Sequence, residues 1–118
     1  MTTEERRRLA EAWLAVQRHW WAWDTLNELC SSRPEDAWGA VLEILDLAEN
    51  DERLGEIGAG PLEDLLRVHG EELIDRLESE VRANEKLRKA LADVWLPDSD
   101  SPLTARFTGL GCKLVGRQ

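Results

Sequence analysis

The chain of 118 residues has no tyrosine, one phenylalanine, one methionine and two cysteines. It has no apolar run near the roughly 18 residues that a membrane-spanning helix needs, and residues 1–8 have none of the apolar core of a signal peptide. Cys30 and Cys112 are far apart and have no C-x-x-C spacing, so a metal knuckle or redox centre is not indicated. We therefore expect a cytoplasmic protein with two free thiols and no membrane binding.

Basic residues are scarce in the central part of the chain. Residues 35–80 contain fifteen acidic side chains and only three arginines, a charge of −12, while the whole chain carries −9. Such a field repels phosphate and anionic lipid headgroups and attracts cationic surfaces. The sequence therefore predicts a basic protein partner and no direct binding to nucleic acid.

Apolar residues recur at helical spacing through most of the chain. A stripe from Leu9 to Trp23 predicts one long helix over residues 3–30, and Pro34 suits the first position of a second, central helix. A short third helix follows Asn50. Residues 58–61 predict a break between this helix and the next one, which we expect to end at His69–Gly70. One more helix ends near residue 81, and Asn84 caps a last one that carries Trp95.

These segments indicate an all-α fold without strands. An offset of 33 residues aligns the apolar positions of the second helix with those near residues 74–81, a spacing found in helical-hairpin arrays. We expect stacked hairpins of the HEAT or armadillo type, or a compact helical bundle, with about five or six helices in residues 1–96. Residues 97–102 predict an extended linker, and residues 103–118 an irregular apolar and basic arm. Phe107 and Leu110 of this arm should dock on the body or on a partner, so an oligomer is possible.

Several local runs carry a family resemblance. They are Pro34-Glu35-Asp36-Ala37-Trp38, the stretch from Ile57 to Leu66, His69-Gly70, and Ala90-Leu91 with Val94-Trp95. Over about residues 10–96 the chain resembles a bacterial family of small proteins known only as a domain of unknown function. The resemblance implies a bacterial, HEAT-like helical protein and brings no catalytic residues with it.

Residue patterns that suggest chemistry have simpler explanations. The run Gly58-Ala59-Gly60 before a helix could hold an anion, but acidic residues follow it immediately, so a tight turn is the better interpretation. Carboxylates at i, i+4 lack a histidine at metal-ligand spacing and indicate solvated helix faces. A nucleophile pair of Cys30 with His19 or His69 cannot be judged from spacing alone. We therefore predict no catalytic residue, no metal and no cofactor.

The six tryptophans divide into two groups. Five of them lie in apolar stripes, which predicts burial for Trp13, Trp20, Trp23, Trp38 and Trp95. Trp21 projects about 100° away from Trp20, beside Leu14, Arg7 and Arg18. It is either a second core contact or an exposed anchor bordered by arginines, a composition that favours protein recognition.

The leading functional hypothesis is a non-catalytic acidic binding module, such as an immunity or inhibitor protein that covers a basic nuclease toxin. The residues proposed to contact the partner are Glu49, Glu52, Glu56, Glu71, Asp75, Trp21, Phe107 and Leu110. One alternative is a phage-encoded anti-defence protein whose carboxylates mimic DNA phosphates, which would need regularly spaced carboxylates on one ridge. Another is an enzyme or small-ligand binder that uses Arg18, His19 and Trp20.

Overall fold

The computed structural model describes residues 1–15, 20–99 and 101–115, and of Trp20 it describes only the backbone. These residues form seven α-helices, one π-helical turn and two short strands. In chain order the elements are α1 (Thr3–Leu14), α2 (Trp20–Ser32), α3 (Pro34–Leu47), α4 (Asp51–Ile57), the π-turn (Gly58–Leu62), α5 (Glu63–Val81), α6 (Glu85–Leu91), β1 (Trp95–Pro97), α7 (Pro102–Gly109) and β2 (Lys113–Val115).

Polar caps set most of the helix starts. Thr2 and Glu5 form a reciprocal capping box at α1, because each side chain accepts a hydrogen bond from the other residue's backbone N–H. Pro34 occupies the first turn of α3. Asn50 accepts from the backbone N–H of Arg53 at α4, and Asn84 caps α6 in the same way. The predicted starts of these three helices are confirmed.

Helix α3 is the centre of the molecule, as its broad apolar surface predicts. It packs against α1, α2, α4, α5 and α6, and its Val41, Ile44 and Leu45 are fully buried. Side chains from every helix contribute to one continuous core. The fold is therefore a compact all-α bundle, which confirms the predicted fold class.

The first predicted helix is in fact two helices packed side by side. The rings of Trp13 on α1 and Trp23 on α2 stack with their centroids 5.1 Å apart. Ten residues of one continuous α-helix would separate these positions by about 15 Å along the axis. The prediction of a single helix over residues 3–30 is therefore wrong. The apolar stripe had the correct period because both helices turn the same kind of face towards the core.

Helix α5 continues through the stop that we expected at His69–Gly70. His69 departs from helical geometry at φ −121° and ψ 20°, so the helix kinks there and then resumes to Val81. The imidazole Nε2 of His69 lies 3.0 Å from the carbonyl oxygen of Ser31 in the last turn of α2, and Nδ1 lies 3.1 Å from Glu72 Oε1. A contact with a neighbouring helix thus takes the place of a helix end.

The C-terminal region is more regular than predicted. Strands β1 and β2 pair in parallel with Leu96 opposite Leu114, so the expectation of a chain without strands is wrong. Residues 102–109 form α7 where an irregular arm was expected, because Ser101 caps that helix and Pro102 occupies its first turn. Gly111 has a φ of 108°, a conformation that favours glycine, in the turn before β2. The proposed boundary after residue 96 falls inside β1.

Candidate protein-binding surface

The five acidic residues proposed to contact the partner have different surroundings. Glu56 forms an ion pair with Arg53 at 3.0 Å, and Asp75 forms one with Arg106 of α7 at 2.6 Å. The side chains of Glu49, Glu52 and Glu71 are exposed and have no ion-pair partner among the described residues. Only these last three carboxylates are therefore free to meet a partner without breaking an internal contact.

Two further ion pairs hold acidic side chains in internal contacts. The guanidinium of Arg76 binds both carboxylate oxygens of Glu35, one of them at 2.6 Å, and so ties α5 to the start of α3. Arg106 also binds Glu78. Hydrogen bonds from these arginines lower the pKa of Glu35 and of Glu78 below the usual range. Part of the central negative charge is therefore paired with arginines of the same chain, although these carboxylates remain exposed to solvent.

Carboxylates and stacked tryptophans meet in one groove. One cavity of about 390 Å³ is lined by Trp13, Trp23, Arg53, Glu56, Ala59 and Gly60. A second, of about 320 Å³, is lined by Glu11, Leu14, Ala15, Leu47, Ala48, Glu49, Asn50 and Arg53. Because Arg53 lines both cavities, they form adjoining parts of one surface, which we call the acidic groove. Glu52, in the first turn of α4, belongs to the helix that borders it.

The indole N–H of Trp23 adds an unusual feature to this groove. Its nitrogen is buried and has no hydrogen-bond acceptor in the part of the chain that the structure describes. A buried donor without a partner costs about 1–3 kcal/mol. Departures of this kind from optimal packing are expected chiefly at functional or strained sites.

Glu71 and Asp75 lie on another part of the surface. They belong to the second half of α5, and Asp75 binds Arg106 on α7, whereas Glu49 and Glu52 lie at the junction of α3 and α4. The groove joins Glu49 and Glu56 through Arg53, but neither of its cavities reaches α5. The acidic sequence segment thus contributes to more than one surface.

Trp21 is the exposed tryptophan that the sequence left undecided. Its side chain is 44% exposed, so the expectation of a second core contact is wrong, and its use as an anchor for a partner stays a prediction. Its arginine neighbour is Arg8, whose guanidinium carbon lies 5.9 Å from the ring centroid. Arg7, which the projection of a single helix placed nearby, instead pairs with Glu43 and Asp46. The break between α1 and α2 accounts for this change.

The predicted C-terminal contacts lie within the molecule itself. The ring of Phe107 is 4% exposed and packs on Gly70 so closely that a Cβ there would lie 2.8 Å from its tip. Leu110 is half-buried against the core. The arm therefore docks on its own body, the first of the two alternatives given above.

One exposed aromatic was missed by the sequence analysis. Trp95 is 40% exposed on the outer face of β1, with the Lys113 ammonium 5.7 Å from its ring centroid. Its backbone is held by Glu63, which accepts from the Trp95 N–H at 2.8 Å, and by Arg67, which donates to the Trp95 carbonyl. Burial was predicted because the helical period was extended beyond the end of α6. The other predicted core tryptophans, Trp13 and Trp38, are buried and Trp23 is partly buried.

Cys30 and His69, one of the two pairs considered for nucleophilic chemistry, do not form a pair. The Cys30 thiol donates to the carbonyl of Pro61 at 3.6 Å, while both His69 ring nitrogens face other oxygens. Burial raises the pKa of the Cys30 thiol to about 12, and the negative charge of Asp64 adds to this effect. Burial also raises the pKa of Cys112 to about 12. Arg18, His19 and the side chain of Trp20 lie outside the described residues.

The glycine run before α5 serves helix packing. A Cβ on Gly58 would lie 2.9 Å from the carbonyl carbon of Ala90 on α6 and closer still to its oxygen. The backbones of the π-turn and α6 therefore approach each other where a side chain would not fit. This supports the interpretation of residues 58–60 as a tight connection between helices.

Comparison with known proteins places the chain in a family. Residues 10–110 match the model of a "Family of unknown function (DUF6869)". The chain belongs to this family. The predicted resemblance is thereby confirmed, and the match extends beyond the expected limit at residue 96 into α7. No curated protein and no solved structure matches the chain. In the part that the structure describes, no helix is long and apolar enough to cross a membrane.

The DUF6869 match covers the acidic groove completely. Glu11 and Trp13 on α1 and Ala59 and Gly60 in the π-turn all lie within residues 10–110. The part of α1 that contains Arg8 precedes the matched range. The acidic groove is thus built wholly from DUF6869 residues, whereas the setting of Trp21 depends in part on residues outside the match.

Proposed function

We propose that this protein is a non-catalytic binding module that covers a basic protein partner, in the manner of a bacterial immunity or inhibitor protein directed at a cationic nuclease toxin. The observation that carries the proposal is the acidic groove. There, Glu49 and Glu56 lie beside the apolar walls made by Leu14 and the stacked pair of Trp13 and Trp23.

The two kinds of residue have separate roles in this mechanism. Unpaired carboxylates raise the association rate with a cationic surface through long-range attraction, which salt screens over about 8–10 Å. Aromatic and aliphatic walls exclude water after docking and thereby slow dissociation. Arginine suits such a groove, because its apolar stem and planar guanidinium can contact both an indole face and a carboxylate. No residue of the module has to perform chemistry.

The arrangement favours this mechanism over DNA mimicry. A phosphate mimic needs a row of unpaired carboxylates at regular spacing along one ridge. Here Glu56 and Asp75 are paired with internal arginines, and Glu49, which has no such partner, borders the aliphatic wall that contains Leu14. Aromatic residues are enriched at protein interfaces, so the tryptophan pair beside these carboxylates favours a protein partner.

The test compares two double variants with the same change in charge. Glu49→Lys/Glu52→Lys alters the acidic groove, and Asp64→Lys/Glu71→Lys alters two exposed acids on α5 that have no ion-pair partner among the described residues and line neither cavity of the groove. Chemical crosslinking at low ionic strength, followed by mass spectrometry, identifies the partner of the unaltered protein. Association and dissociation rates with the purified partner are then measured from about 20 to 300 mM salt, a range over which the Debye length shortens severalfold.

We expect a basic partner whose association rate falls steeply with salt. The groove variant should associate at least about tenfold more slowly at low salt and lose most of the salt dependence, while the α5 variant keeps the association rate and the salt dependence of the parent. Thermal unfolding of the two variants should differ from that of the parent by less than about 1 kcal/mol, since the altered charges are exposed. A partner that is acidic, or binding equally affected by both variants, would refute the proposed role of the groove.

A further inference from the structure

A second groove, between α1 and α2, contains the exposed Trp21. It has a volume of about 440 Å³ and is lined by Met1, Glu5, Arg8, Leu9, Trp21 and Thr25. Trp21 and Met1 are 44% and 40% exposed, two of the five exposed large apolar side chains in the part of the chain that the structure describes. This surface, which we call the Trp21 groove, is separate from the acidic groove and shares no lining residue with it.

The Trp21 groove contains one positive charge that has no acidic partner, the guanidinium of Arg8. Arg8 has no acidic partner within ion-pair distance among the described residues, whereas its neighbour Arg7 binds two carboxylates. A guanidinium that lies over an indole ring can still donate hydrogen bonds from its edge. Arg8 therefore offers a fork of donors that matches a carboxylate, next to an exposed aromatic surface.

The remaining charged groups near the groove are either engaged or negative. The Met1 ammonium pairs with Asp36 at 3.2 Å, and the Glu5 carboxylate accepts the backbone N–H of Thr2. On α2, Asp24 and Glu28 are exposed close to Trp21 in sequence. A ligand rich in acidic groups would meet these two carboxylates, whereas a single carboxylate placed at Arg8 need not. The surroundings thus select for one negative charge beside an apolar group.

We propose that the Trp21 groove binds a segment of a partner protein that presents a large apolar side chain next to a single carboxylate. The apolar side chain contacts Trp21 and Met1, and the carboxylate accepts hydrogen bonds from Arg8. This selectivity is opposite in charge to that of the acidic groove. The protein then has two independent binding surfaces and can contact a basic and an acidic partner region at the same time.

The experiment uses two matched peptides and NMR. The probes are acetyl-Gly-Phe-Glu-Gly-amide and the same peptide with glutamine in place of glutamate. The indole N–H signal of Trp21 is assigned from its loss in the Trp21→Phe variant, and chemical shifts are followed up to about 10 mM peptide, a range suited to millimolar dissociation constants. Arg8→Gln tests the carboxylate contact. The matched control is Arg82→Gln, because Arg82 is exposed and directly follows the end of α5, outside the Trp21 groove.

We expect the glutamate peptide to shift the Trp21 signal and to bind roughly threefold to fivefold more tightly than the glutamine peptide, as for an exposed ion pair. Arg8→Gln should abolish that preference, and Arg82→Gln should leave it intact. Equal binding of the two peptides, a preference that survives Arg8→Gln, or no shift of Trp21 at the highest concentration would overturn the proposal. None of these results bears on the acidic groove, whose test uses other residues and another partner.

Discussion

Substitution of Gly58 by alanine should destabilise the fold by a purely steric route. The backbone of Gly58 is helical, at φ −62° and ψ −47°, so alanine can adopt it without strain. The added methyl group, however, would lie 2.9 Å from the carbonyl carbon and 3.3 Å from the Cα of Ala90. Carbon atoms in contact pack at about 3.5–4.0 Å. Because the neighbour is backbone, α6 has to move as a unit away from the π-turn.

The size of the effect follows from two opposing terms. Overpacking of a core costs about 1–3 kcal/mol, and contact with a helix backbone belongs at the upper end. Replacing glycine by alanine in a helical backbone increases the free energy of unfolding by up to about 1 kcal/mol. The net loss is about 2 kcal/mol, which lowers Tm by about 8 °C for a chain of this length.

Thermal unfolding followed by circular dichroism measures this difference directly. The control is Gly109→Ala, since a Cβ at the end of α7 would meet nothing within 4 Å. That variant should be neutral or more stable by up to about 1 kcal/mol. If Gly58→Ala unfolded within about 2 °C of the parent, the close approach of the π-turn and α6 described here would be wrong.

Three further predictions concern the α5 kink and the C-terminal region. Both ring nitrogens of His69 face oxygen acceptors, and these hydrogen bonds raise its pKa above the ordinary value of 6.5. The stability that His69 contributes is therefore complete below its pKa in the unfolded chain and is lost as pH rises through its pKa in the folded chain. NMR titration of the ring, and unfolding of His69→Gln across pH 5–9, check the direction of this change. Gly70→Ala should push the Phe107 ring outward and increase protease cleavage near α7, whereas Gly109→Ala should not. The protein without residues 97–118 should keep a helical dichroism signal but bind a hydrophobic dye, because the deletion uncovers the surface beneath Phe107. If the truncated protein unfolded outright, this region would be essential to the core.

Helix positions could be predicted from the sequence because the signals are local. A proline in the first turn, or an asparagine that accepts the N–H three residues later, sets a helix start through neighbouring atoms alone. Pro34, Asn50 and Asn84 all act in this way. The apolar period likewise identified α3 as the central helix, since a helix that is apolar around much of its surface must have neighbours on several sides.

The errors arose where contacts distant in sequence decide the local geometry. His69 and Gly70 resemble a helix end, yet the ring of His69 binds Ser31, 38 residues away, and Gly70 receives Phe107. Strand β1 exists because β2 pairs with it, and three-residue strands carry too few positions for a period of two to be visible. The neighbours of Trp21 were predicted wrongly because the apolar period continues from α1 into α2, so the two helices were projected as one.

The sequence gives the number of acidic residues but not which of them form ion pairs. A count of acidic residues treats Glu49, Glu52, Glu56, Glu71 and Asp75 as equivalent, because a net charge does not depend on which charges are paired. In the fold, Arg53 and Arg106 neutralise two of them, and Arg106 reaches α5 from a segment well outside the acidic stretch. Reversing Asp75 would therefore release α7 as well as alter the surface. Reversing Glu49 or Glu52 alters only the surface, so a loss of binding there can be attributed to the interface itself.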